Sequence, residues 1–196
     1  MILPIMAYGD PVLRKKAKSI ANDYPNLQQL TNDMFETMYN ASGVGLAGPQ
    51  VGLALRIFVI DASPFAEDED LDPQEREQLR DLKRVFINAQ IESEIGEEWA
   101  FNEGCLSIPD IREDVRRKPE ITITYQDSDF ETFTETYSGL AARVIQHEYD
   151  HIEGILFTDK LSSLKKRLLK SRLEKISKGK ISVDYKMRFP MLKKAR

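Results

Sequence analysis

Five consecutive residues, His147-Glu148-Tyr149-Asp150-His151, constrain this 196-residue chain more than any others. Positions i and i+4 meet only on a helix, where they lie on one face a turn apart. The chain has just two histidines, and both are here. Leu140 and Val144 fall on the same face, so the histidines continue an apolar, core-facing stripe. Ser138 stands where an N-cap belongs and Gly154 where a terminator does, which predicts a helix from Ser138 to about Ile152. Two inward imidazoles with a glutamate between them suit a divalent metal, with the glutamate placed to take a proton from bound water.

Around that helix, the apolar spacing of Leu27, Leu30, Met34 and Met38 predicts another, with Pro25 in its first turn and Gly43 ending it. Residues 43–52, GVGLAGPQVG, are glycine-rich enough to predict a tight loop. Strands are expected over residues 56–62, 85–95 and 121–125 from their β-branched and aromatic content, with a last one after Gly179. Residues 64–83 are charge-dense and read as an acidic surface insertion, with a short helix at its end. Leu161, Leu164, Leu168, Leu173 and Ile176 mark the expected buried face of a C-terminal helix. Strands and helices mix without a βαβ rhythm, which predicts an α+β fold rather than a doubly wound one. The length fits a single domain over residues 1–196.

Composition narrows the rest. An apolar fraction of 41% is enough for a core without a disulfide, and one cysteine cannot form an internal one. The first twenty residues lack a signal peptide's long apolar run and no stretch reads as a membrane span, so a cytoplasmic protein is expected. The net charge of −4 hides an asymmetry: from residue 160 onward there are 14 Lys or Arg against two acids, a local +12, leaving −16 on the first 159 residues. This basic C-terminal helix and tail is either a solvated face or a surface for a polyanion.

Two imidazoles leave a catalytic metal one ligand short. A third histidine ten residues after the first would extend the motif, but Phe157 is there; Glu174 lies far enough downstream but in a basic segment; and Cys105, in Glu103-Gly104-Cys105-Leu106-Ser107, is the remaining soft donor. Three segments together resemble the peptide deformylase family: residues 43–50 its GxGxAAPQ motif, residues 103–107 its EGCLS, and residues 147–151 its HExDH. They come in the family's order, the opening ILPI…GDPVLRKKA is also similar, and the likeness runs from residue 2 to about 165. Gly48 departs from the family's second alanine, which removes no reactive group.

The resemblance implies mixed, mainly antiparallel strands around a central metal-binding helix, with a C-terminal helix. It implies a hydrolase that releases formate from N-formylmethionyl nascent polypeptides. Cys105, His147 and His151 would hold one divalent metal, usually Fe(II), with Zn(II), Ni(II) or Co(II) able to replace it. Glu148 would shuttle the proton, while Gln50 and the Leu106 backbone N–H stabilise the oxyanion. Gly43, Val44, Gly45, Glu103, Gly104, Arg112, Leu140 and Val144 would contact substrate, with Val44, Leu140 and Val144 either lining the methionine pocket or belonging to plain core. Arg143 would reach the pocket rim, and a Glu103–Arg117 pair would brace the cysteine. The basic C-terminus would be a candidate ribosome contact, with no membrane and no sequence-specific nucleic acid as partner. Beside this reading stand an HExxH zinc endopeptidase using Glu174 and a non-catalytic deformylase-like metal-binding protein.

Overall fold

Short β-branched runs and helical periodicities are interspersed along the chain and condense into strands and helices. The computed structural model, which describes residues 1–191, runs β1 (Ile5–Met6), α1 (Leu27–Asn40), β2 (Gly45–Ala47), β3 (Ile57–Asp61), α2 (Pro73–Arg80), β4 (Lys83–Ile95), β5 (Trp99–Cys105), β6 (Ile108–Arg117), β7 (Glu120–Gln126), β8 (Thr132–Ser138), α3 (Gly139–Ile152), α4 (Ser163–Ser177) and β9 (Met187–Arg188). One five-stranded sheet has the order β2-β3-β4-β7-β8 and is antiparallel throughout. β5 and β6 form a separate hairpin, and β1 pairs in parallel with β9, tying the two ends of the chain together. The fold is therefore α+β with mainly antiparallel strands.

Alternation decides which face of the sheet is covered. In β7, Ile121, Ile123 and Tyr125 point inward and are buried, while Thr122 and Thr124 pair with Thr136 and Thr134 of β8 on the outer face. Against the inner face lies α3, through Ala141, Ala142, Ile145 and Ile152, none of them exposed at all. Each fully buried isoleucine contributes about 1.5–3 kcal/mol. This places the histidine helix at the centre of the molecule. A second core joins the β5–β6 hairpin to α4 through Ile108, Ile111, Val115, Phe157, Leu169, Leu173 and Ile176.

Several expectations differ from the structure. Residues 43–52 are a short strand and a 3-10 helix (Gly48–Val51), because β2 finds a partner in β3: Gly45 opposite Ile60, Ala47 opposite Phe58. Asn26 adopts a left-handed backbone before α1, so Pro25 lies outside that helix. The segment of residues 64–83 forms its expected short helix, α2, but is not all surface, since Ala66, Leu79 and Leu82 are buried in the main core. On α4 the buried stripe is Leu169, Leu173 and Ile176; Leu164 and Leu168 lie outside that stripe round the helix and are 64% and 70% exposed. The strand after Gly179 is only β9. The last five residues of the basic tail, 192–196, lie outside the described residues. Among the described residues no helix is long and apolar enough to cross a membrane.

Candidate active site

Helix α3 carries His147, Glu148 and His151 into the space between the sheet and the β5–β6 hairpin. The imidazole centroids are 5.1 Å apart with the rings nearly perpendicular, as i and i+4 side chains aimed at one point must be. Cys105 ends β5, and its Sγ lies 3.3 Å from His151 Nε2. Ligand atoms of Cys105, His147 and His151 all fall within 4.8 Å of one another. Donors around a common tetrahedral Zn-like centre sit roughly 3.5 Å apart, so the set fits one divalent ion. Glu174, the other candidate ligand, is on α4, half exposed and paired with Lys178 at 2.5 Å. Phe157 occupies the position of an extended motif's third histidine and stacks on the His147 ring at 6.2 Å.

A buried charge network holds these donors. Glu103, 4% exposed, accepts two hydrogen bonds from Arg117 (2.7 and 2.9 Å), one from Arg143 (3.0 Å) and one from His147 Nδ1 (2.9 Å). With Nδ1 engaged, Nε2 is the His147 nitrogen left for a metal. Arg117 reaches on to Asp150 at 2.6 Å, so the motif's second acid serves the same brace. Burial would raise Glu103, but Arg117 and His147 hold it well below the usual carboxylate range. Burial would likewise lower His147, yet its bonds to Cys105 and Glu103 push it up to about 10. Burial and the charge of His147 hold His151 well below its ordinary value.

Glu148 points the other way. It is 4% exposed, burial pushes it up to about 7, and its Oε2 has no partner. Gly45 of β2 lies directly over this carboxylate: a Cβ there would come within 2.7 Å of Glu148 Cγ and Cδ. Only glycine lets the strand pass so close. Two residues on, Ala47 N–H donates to Gln50 Oε1 at 2.7 Å, which turns Gln50 Nε2 toward Cys105 Sγ, 3.6 Å away. Gln50 is 1% exposed, so this amide orientation is set by the fold.

A cavity of about 700 Å³ opens over these groups. Gly43, Val44, Gly45, Gly104, Leu106, Arg112 and Val144 line it; Leu140 does not, being packed in the main core a turn further from the metal donors. Glu103 has both oxygens committed, so what it can offer a ligand is backbone. Arg112 lies at the mouth, held by the side chain and carbonyl of Asn102. Arg143 is no rim residue: 2% exposed, it lies under the cavity with its guanidinium 4.4 Å over the Trp99 ring.

Sequence reasoning missed Phe65, which the segment of residues 64–83 brings to the cavity wall, and Ser182–Tyr185, which the pairing of β9 with β1 brings there. No local signal marks either, because both arrive through long-range packing. Asp150 was legible as a motif position but not as Arg117's partner.

A family model described as polypeptide deformylase matches residues 2–167. A peptide deformylase of Christiangramia forsetii is 72% identical over 196 residues, all of both chains. One of Flavobacterium johnsoniae is 63% identical over the same full span. Among solved structures, a peptide deformylase from Legionella pneumophila gives a TM-score of 0.76 at 39% identity, over 92% of this chain and 98% of its own. One from Thermotoga maritima gives 0.72 at 38% identity, over 83% and 99% respectively. The similarity passes through all three segments that meet at the metal donors, and the chain belongs to the peptide deformylase family.

Proposed function

We propose that this protein hydrolyses the N-terminal formyl group of formylmethionyl polypeptides, giving formate and a free amine. One observation carries the reading: a buried carboxylate, Glu148, without a hydrogen-bond partner among the described residues and set on α3 between two of three convergent metal donors. Cys105, His147 and His151 hold the ion, Fe(II) in the cell, with Zn(II), Ni(II) or Co(II) able to use the same thiolate and imidazoles. When bound, the ion supplies a Lewis acid and a water that ionises near neutral pH.

The chain's own groups do the rest. Glu148 takes a proton on its carboxylate and returns it to the departing amine nitrogen. Gln50 Nε2, aimed by its bond to Ala47, and the Leu106 N–H donate to the developing oxyanion. β2 is an edge strand and β5 has a single partner, so an extended peptide lying in the cavity between them can pair with backbone. Val44, Phe65, Phe101 and Val144 form an apolar recess that suits a methionine side chain. Substrates that emerge from translation fit a cytoplasmic setting.

The outward face of α4, with Lys166, Arg167 and Lys170 exposed beside Leu164 and Leu168, supports a ribosome contact. Charge reversal at those three basic residues should abolish co-sedimentation with ribosomes at low salt, and unchanged sedimentation would remove this contact from the proposal.

The main test is formate release from formyl-Met-Ala-Ser by protein purified anaerobically with Fe(II), beside Glu148→Ala. Activity in the wild type and a loss of at least about 100-fold in the metal-loaded variant is expected. Wild-type protein that holds metal and releases no formate would overturn the assignment.

A further inference from the structure

The turn between β5 and β6 is two residues long, since Cys105 pairs with Ile108 across it. Those two residues, Leu106 and Ser107, follow the metal donor directly, and Leu106 lines the cavity. Both of their carbonyls are claimed from outside the hairpin. Tyr8 N–H donates to Ser107 O at 2.8 Å, and the Tyr185 hydroxyl donates to Leu106 O at 2.7 Å. Tyr8 lies two residues after β1 and Tyr185 two before β9, and these strands hold each other through Ile5 N–H to Lys186 O and Ala7 N–H to Arg188 O, both 2.9 Å. The ribbon made by the two ends of the chain therefore grips the turn on both peptides.

Leu106 sits between two peptide planes. One carries its N–H and is continuous with Cys105; the other carries the carbonyl that Tyr185 holds. With Cys105 paired to Ile108 on one side and the carbonyl plane held by Tyr185 on the other, φ and ψ of Leu106 have little freedom to swing the N–H away. A donor to a developing oxyanion is worth most when it needs no reorganisation as charge appears. We infer that Tyr185 is a positioning residue for hydrolysis: by donating to the Leu106 carbonyl it holds the Leu106 N–H in the direction the oxyanion requires. The inference rests on the deformylase reading and on Leu106 as a donor. It gives a C-terminal segment that lies beyond the matched residues 2–167 a part in the chemistry.

The test is steady-state kinetics on formyl-Met-Ala-Ser with wild type and Tyr185→Phe, with metal content and thermal midpoint measured on the same samples. The substitution removes one oxygen and keeps the ring. kcat should fall roughly five- to tenfold, the share of one neutral hydrogen bond, with KM within about twofold. Metal per chain should be unchanged. A variant with wild-type kcat, or one whose lost rate only follows lost metal or a raised KM, would overturn the inference while leaving the deformylase reading standing. An inactive metal-loaded wild type would instead remove that reading and the inference with it.

Discussion

Glu75→Ala should destabilise the protein by about 1–2 kcal/mol, although Glu75 lies far from the metal donors in sequence. The helix that carries both histidines begins at Gly139, and Ser138, in the N-cap position, makes no side-chain bond to it. The Leu140 N–H is taken instead by Glu75 Oε1 at 2.7 Å, from the first turn of α2. Gly139 has φ +56°, and a Cβ on it would overlap the Glu75 carboxylate, so glycine and glutamate fit as a pair. A neutral acceptor in the same place should retain most of the cap, so Glu75→Gln should lose only the attraction to the helix dipole, about 0.3–1 kcal/mol. For a chain of this size 1 kcal/mol moves the midpoint about 2–4 °C, which predicts a fall of about 2–8 °C for alanine and less for glutamine. Thermal unfolding of the metal-free protein, followed by far-ultraviolet circular dichroism, measures this without the extra stability that a bound ion adds. An alanine variant within about 0.5 kcal/mol of wild type, as for an ordinary surface site, would refute the capping argument.

Gly45→Ala should lower formate release by about 100-fold or more with metal retained, because the methyl would overlap the Glu148 carboxylate and force it from its position; near-normal activity would show that the strand can move aside. Arg117→Met leaves Glu103 and Asp150 with fewer partners in the interior, and should cost about 3–5 kcal/mol in denaturant unfolding. The same variant should bind metal about 10–100-fold more weakly in a chelator competition, and a loss below about 1 kcal/mol with unchanged metal affinity would contradict the bracing role. Phe65→Ala should raise KM for formylmethionyl peptides several-fold, on the order of 1 kcal/mol of lost apolar contact, with little change in kcat; an unchanged KM would mean that Phe65 does not touch the substrate.

What could be read from the sequence was local. The histidine spacing and the apolar stripe of α3 repeat within four residues, so helix and inward direction follow from one another before any partner is known. The same holds for β3 and β7, whose β-branched runs are strands wherever they end up. The glycine-rich segment could not be read this way. As an isolated stretch it looks like a loop, and it becomes strand β2 only because β3 lies alongside and Glu148 lies beneath. On α4 the leucines at 164 and 168 looked as buried as Leu173 and Ile176, and Leu169 was passed over, because composition along a helix does not say which of two overlapping stripes meets the core.

The sequence by itself thus determined the candidate metal donors, the glutamate between the histidines and the helix that presents them, since these depend on residue identity and short-range periodicity. Only the tertiary structure decided what holds them. Glu103 is shared among Arg117, Arg143 and His147, Glu75 caps the catalytic helix from α2, and Tyr185 reaches Leu106 from the far end of the chain. Each of these contacts joins residues far apart in sequence, and which of many polar side chains meet is set by how the sheet, the hairpin and the terminal ribbon close around α3. A single chain carries no periodic signal for such pairings, because their energy exists only once the intervening segments have folded.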